Sequence, residues 1–150
     1  MKRMIYFDMD GTLAGLFFVK GFSEMLDAGD MTPYTVARPL YNAAEMSTVI
    51  KTLTNKGYEI GVISYADEKN LEAATIAKME WLKVNFPYAS VENIHITTKA
   101  TSKASYYRNG DILVDDARAN REEWENVGGE TINAYFRAKV KMIDALKALI

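Results

Sequence analysis

The chain has 150 residues, no cysteine and one histidine. Disulfides, thiolate nucleophiles and cysteine-ligated zinc are therefore excluded, and His95 alone cannot build a multi-histidine centre. A bound metal must be a hard ion held by oxygen, such as Mg²⁺. Long apolar runs are also missing. The stretch Met4–Phe7 is too short for a signal-peptide core or a membrane span, which predicts a cytoplasmic protein with no membrane partner. There is no internal repeat and no low-complexity segment. An excess of one charge is lacking too, with 18 Lys and Arg against 20 Asp and Glu. That argues against nucleic acid as a partner, although a local basic patch can hide in such an average.

What is present fits one domain with a substantial core. "MIYF" (4–7) is short, continuous and apolar, and predicts a buried strand. "YEIGVIS" (58–64) follows the helix-stop "NKG" and predicts a second. "VENIHIT" (91–97), "DILVDD" (111–116) and "GETINAY" (129–135) predict three more. Between them, helices are predicted over 45–56, about 68–85 (capped by Asp67, with Leu71, Ala74, Met79 and Leu82 near one face), 118–126 and 136–150. Alternating strands and helices predict an α/β fold, a parallel sheet with helices on both faces. Residues 14–44 are too long for a plain loop and predict a small helical cap after the first strand. Phe17, Phe18 and Phe22 are expected to form its core, and Arg38 to lie on its surface. His95 is expected to be structural and Trp124 to pack the last helices.

Open sheets of this kind bind ligands at the carboxyl ends of their strands. Those ends carry Asp8, Ser64, Asp115 and Asp116, and the third connection carries Lys99 and Lys103. Asp8 and Asp10, two residues apart on a glycine turn, can take separate roles. One is a nucleophile on phosphorus, and the other a general acid that becomes a base. Gly11 permits close approach, and Thr12 can tie the turn or face the substrate. Attack by a carboxylate on an anionic ester needs positive charge nearby. Mg²⁺ on Asp8, Asp115 and a backbone carbonyl at Asp10 would supply it, with Lys103 as a fixed cation. Ser64 would bond a phosphate oxygen, and Tyr65 could offer its backbone N–H or its ring.

The segments "FDMDGTLAG", "VIS", a downstream lysine and "ILVDD", in that order, resemble the four motifs of the haloacid-dehalogenase-like (HAD) phosphohydrolases. The resemblance runs from Met4 to Asp116. It implies a Rossmann-like sheet with the first strand between the second and fourth. It implies Asp8 as the nucleophile that becomes an aspartyl phosphate and Asp10 as acid and base. Ser64 and the lysine would bind phosphate, with Mg²⁺ on Asp8, Asp10 and Asp115 and Asp116 assisting. Lys103, which begins "KASYY", is favoured over Lys99 as that lysine. "DMDGTLA", with Asn120, Trp124, Gly128, Gly129 and Ile132, is similar to the C-type 5′-nucleotidases, including the 5′(3′)-deoxyribonucleotidases. Thr12 and Gly15 depart from that subfamily, which has valine and an acidic residue there. The implied substrate is a small phosphorylated molecule, a nucleoside monophosphate first, and a homodimer is compatible with it. A sugar phosphate or nucleic-acid end is the alternative substrate. A receiver-like switch or a silent phospho-ligand module is the alternative class.

Overall fold

The computed structural model describes residues 2–150. Its frame is one parallel sheet of five strands: β1 (Arg3–Phe7), β2 (Tyr58–Tyr65), β3 (Ile94–Thr97), β4 (Ile112–Asp115) and β5 (Glu130–Asn133). They lie in the order β3-β2-β1-β4-β5. Phe7 at the end of β1 registers with Val62 and Val114, so the carboxyl ends of β1, β2 and β4 meet at one edge. The chain order reverses between β1 and β4, and a crevice opens at such a reversal.

Side chains alternate across the strands. Ile5 and Phe7 join the larger core cluster. It also holds Met46, Val49, Ile50 and Leu53 of α3 (Ala43–Asn55), Trp81 and Leu82 of α4 (Leu71–Asn85), and Met142 and Leu146 of α6 (Met142–Lys147). Met4 and Tyr6 turn the other way, onto Ile63, Leu113 and the fully buried Trp124 of α5 (Arg118–Asn126). One face is thus covered by three helices. The other is covered by α5 and a single 3-10 turn at Lys103–Tyr106.

The segment between β1 and α3 leaves and returns through a narrow neck. Gly15 N–H donates to Arg38 O at 2.8 Å, and Leu40 N–H to Leu13 O at 2.9 Å. Between those bonds lie a 3-10 turn at Leu16–Phe18 and two short helices, α1 (Phe22–Asp27) and α2 (Thr32–Val36).

Four sequence expectations need correction. Strand three begins at Ile94, because Val91–Asn93 form a 3-10 turn closed by Asn93 N–H on Ser90 O. The helix expected from 68 is a 3-10 turn at Glu68–Asn70 followed by α4, and Asp67 makes no side-chain cap bond. Its buried face carries Ala74, Lys78, Trp81 and Leu82, while Met79 is only half-buried. The closing helix is α6 alone; residues 134–141 are a loop in which Val140 faces solvent. Phe17 and Phe18 do not form a cap core. They are 54% and 64% exposed, since two helices of six and five residues are too small to enclose them. No described helix is long and apolar enough to cross a membrane.

Candidate active site

Asp8 leaves β1 with its N–H bonded to Val114 O at 2.8 Å, so the turn after β1 is anchored on β4. The N–H groups of Leu13 and Ala14 both return to Met9 O at 2.9 Å, which closes the turn on itself. Gly11 sits at φ +84°, and a Cβ there would lie 2.5 Å from Asp116 Oδ2 and 2.6 Å from Phe17. Only glycine fits that backbone beside that carboxylate.

One carboxylate oxygen from each of Asp8, Asp115 and Asp116 lies within 4.8 Å of the other two. Lys103 Nζ bridges two of them, 2.8 Å from Asp8 Oδ1 and 2.8 Å from Asp115 Oδ2. Burial alone would pull the ammonium down. The charges of Asp8 and Asp115 overcome it and hold Lys103 above the ordinary lysine value. Asp115 is oriented further by Ala117 N–H on Oδ1 at 2.8 Å and Asn120 Nδ2 on Oδ2 at 3.1 Å. Thr12, almost wholly buried, lies beneath the acids rather than on the open cleft. Its Oγ1 is 3.1 Å from Asp8 Oδ2 and 3.2 Å from Asp116 Oδ1, and it accepts Asp116 N–H at 3.1 Å. Its one proton can serve only one carboxylate at a time.

Burial first, then the neighbouring Asp8 charge, push Asp115 up to about 6 and Asp116 up to about 8. A trio of oxygen ligands short of positive charge suits a hard divalent cation. The donor set therefore fits Mg²⁺, with Asp8, Asp115 and Asp116 as its carboxylates. The Asp10 carboxylate lies outside this trio. A prediction follows for the metal-free protein. Both carboxyls bind protons more tightly folded than unfolded, so stability should fall as pH rises from about 4 to about 8. Added Mg²⁺ should raise the thermal midpoint, and by more at pH 8 than at pH 5.5. Equal shifts at both pH values, or none, would remove the trio as a cation site.

Asp10 turns to a second cation, one that sequence reasoning does not find. Lys78 on α4 is fully buried, and its Nζ donates to Asp10 Oδ2 at 3.1 Å, to Ser64 Oγ at 2.8 Å and to the carbonyl of Tyr65. Tyr34 on α2 donates its hydroxyl to the same Oδ2 at 3.0 Å. Asp10 Oδ1 has no partner among the described residues. Burial is the main reason that the Asp10 carboxyl stands above its ordinary value, with Lys78 opposing and Asp8 assisting. Because Lys78 donates to Ser64 Oγ, the serine proton is free for another acceptor.

Tyr65 lies against Lys103. Its hydroxyl accepts Lys103 N–H at 3.0 Å, and its ring centre is 5.1 Å from Nζ. Lys99 is exposed at the mouth, so of the two candidate lysines it is Lys103 that meets the acids. The cleft above Asp10 has a volume of about 570 Å³, and its walls include Phe17, Phe22, Leu26, Tyr65 and Lys99. Arg38 is exposed. His95 stacks on Tyr106 at 4.3 Å and takes no part in the cleft wall.

No family model and no curated protein matches the sequence. Among solved structures, the chain is similar to the HAD domain of effector protein Lem4 from Legionella pneumophila. The TM-score is 0.52 at 15% identity, over 99% of this chain and 94% of that one. At that identity the likeness is one of fold alone, a Rossmann-like α/β sheet similar to that of the matched domain.

Proposed function

We propose that the chain is a Mg²⁺-dependent phosphomonoesterase that works through an aspartyl phosphate on Asp8. The observation that carries this reading is the carboxylate trio at the β1–β4 crevice with Lys103 bridging it. Asp8, Asp115, Asp116 and the Asp10 carbonyl would hold the cation, whose positive charge would let one anion approach another. Lys103 holds Asp8 in one orientation and offsets its charge beside the incoming phosphate. A carboxylate oxygen of Asp8 bonds to phosphorus while the bond from phosphorus to the leaving oxygen breaks.

Asp10 gives the departing oxygen its proton. Two donors occupy Oδ2, so the proton is carried on the unpartnered Oδ1. In the second step water attacks phosphorus and Asp10 takes the water's proton. The bond between Asp8 and phosphorus breaks, and inorganic phosphate leaves. Ser64 donates its free hydroxyl proton to a phosphate oxygen during both steps.

The substrate class proposed is a nucleoside monophosphate. The cleft above Asp10 is of ligand size and has aromatic side chains from Phe17, Phe22 and Tyr65 for a base to lie against. Asp27, Asp67 and Glu68 also line it and disfavour a second phosphate on the leaving group. The deciding experiment is phosphate release, with Mg²⁺ or with EDTA, from 5′- and 3′-nucleoside monophosphates, sugar phosphates and p-nitrophenyl phosphate. Metal-dependent release that favours nucleoside monophosphates is expected. Release only from other esters would discard the nucleotide. No release from any of them would discard the esterase and favour a phospho-ligand binding module.

A further inference from the structure

A second surface adjoins the cleft and is unlike the rest of the protein. It is built by residues 12–20, 34–42 and 134–143. In a chain with 20 acidic residues these three segments contain none, and they carry Lys20, Arg38, Arg137, Lys139 and Lys141. All five cations are exposed. Four aromatic rings lie exposed in these segments, Phe17 at 54%, Phe18 at 64%, Tyr135 at 44% and Phe136 at 43%, and the last three lie among the cations.

The parts are contiguous. Phe18, Lys20 and Arg38 share a groove of about 370 Å³ with Leu40. Tyr135, Phe136 and Lys141 share another of about 340 Å³, also bordered by Leu40. The Phe18 and Phe136 rings join them edge to face at 5.3 Å, Tyr135 meets Phe136 at 5.0 Å, and the Arg137 guanidinium lies 5.2 Å over Phe136. Glu45 borders the second groove, but its charge is met by Lys147 at 2.9 Å. Thr12 lines the same groove and touches Asp8, so this surface reaches the floor of the candidate site. Phe17 and Phe18, adjacent in sequence, divide between the two: Phe17 lines the cleft and Phe18 the groove.

We propose that this surface binds single-stranded nucleic acid. Exposed rings interleaved with cations match a polyanion whose bases are free to stack. The cations take phosphates, and the rings take base faces that a duplex would keep stacked internally. An acidic peptide would satisfy the charge but would bring no planar faces. A symmetric pairing with a second copy would set the five cations against their own kind. The average charge of the chain conceals the patch, because its acids lie elsewhere. The surface is separable from the esterase chemistry, since neither its five cations nor Phe18, Tyr135 and Phe136 take part in it.

The test is fluorescence anisotropy of labelled dT12 titrated with the full chain in 50 mM and 200 mM salt. Binding should weaken with salt, with a slope of log K on log salt near −3, from about four phosphate contacts on a single strand. Phe18→Ala and Phe136→Ala should each weaken binding roughly tenfold, the loss of one stacked base. Both should keep the wild-type circular dichroism and wild-type turnover of small esters, so loss of binding is separable from loss of the esterase. No binding at 50 mM salt overturns the proposal. So does binding that ignores both ring substitutions, which marks nonspecific charge. Self-association in sedimentation that the same substitutions abolish also overturns it, by making the patch a contact between copies. Capture by anionic vesicles without oligonucleotide binding overturns it by assigning a lipid surface.

Discussion

Asp8→Asn protein, purified and folded, should release no phosphate from any ester, a loss of about 10⁴-fold or more. A neutral amide has neither the nucleophilicity nor the charge to displace an alkoxide from phosphorus. The substitution should not harm the fold. Asp8, Asp115 and Asp116 crowd one another within 4.8 Å, and removing one negative charge relieves Asp115 and Asp116. The thermal midpoint without metal should therefore hold or rise. Borohydride added during turnover should reduce an acyl phosphate on wild-type Asp8, and a tryptic peptide containing that residue should show the mass change. Near-normal turnover by Asp8→Asn, or trapping at another carboxylate, ends the mechanism.

Lys78→Met should separate good leaving groups from poor ones. Lys78 fixes Asp10 Oδ2 and so aims Oδ1. Methionine fills similar space without a charge. Esters whose leaving oxygen needs a proton should slow by about 10²- to 10³-fold, within the usual range for general-acid catalysis. Hydrolysis of p-nitrophenyl phosphate, whose phenolate departs unaided, should slow far less. A lysine that merely held the fold would slow both equally. The fold itself should lose about 3 kcal/mol, because Asp10, Ser64 and the Tyr65 carbonyl lose a shared buried donor. Tyr34→Phe removes the other donor to Oδ2 without touching a charge, and should shift the same ratio in the same direction by a smaller factor. Equal slowing of both ester types in both variants would reduce Lys78 to a structural role.

Lys78 also marks where the sequence is legible and where it is not. The acids are legible because each ends a short apolar strand, and a parallel sheet brings strand ends together. Lys103 is legible because it precedes the strand that carries Asp115. Lys78 lies in mid-helix, where a lysine is normally solvated. One signal exists. Ala74, Lys78, Trp81 and Leu82 fall at helical spacing on one stripe, so a lysine occupies a core position. Placing Met79 on that stripe instead hides it. The tail misleads for the opposite reason. Val140 supports a helical period, but Tyr135–Lys141 is a loop, with Lys141 Nζ bonded to Phe136 O. The apolar residues there are surface, not stripe. Phe17 and Phe18 fit the same lesson: periodicity reports a face, and not which side of it is covered.

The neck at Gly15–Arg38 and Leu13–Leu40 has a consequence for how such a protein can change. It holds both ends of the inserted segment side by side, so the chain beyond it is a closed loop. The entropy of closing a loop grows only with the logarithm of its length, by about 0.6 kcal/mol for each doubling. Residues can therefore be added or removed between 16 and 37 at little thermodynamic cost, while the strand ends below keep their register. The cross-ties from Asn70 to Leu26 O and from Trp81 to Ala37 O would have to be rebuilt, but neither touches the acids. Tyr34 is the exception, since its hydroxyl reaches Asp10. A lineage of such chains can diversify what it selects faster than what it does, provided that one hydroxyl keeps its place.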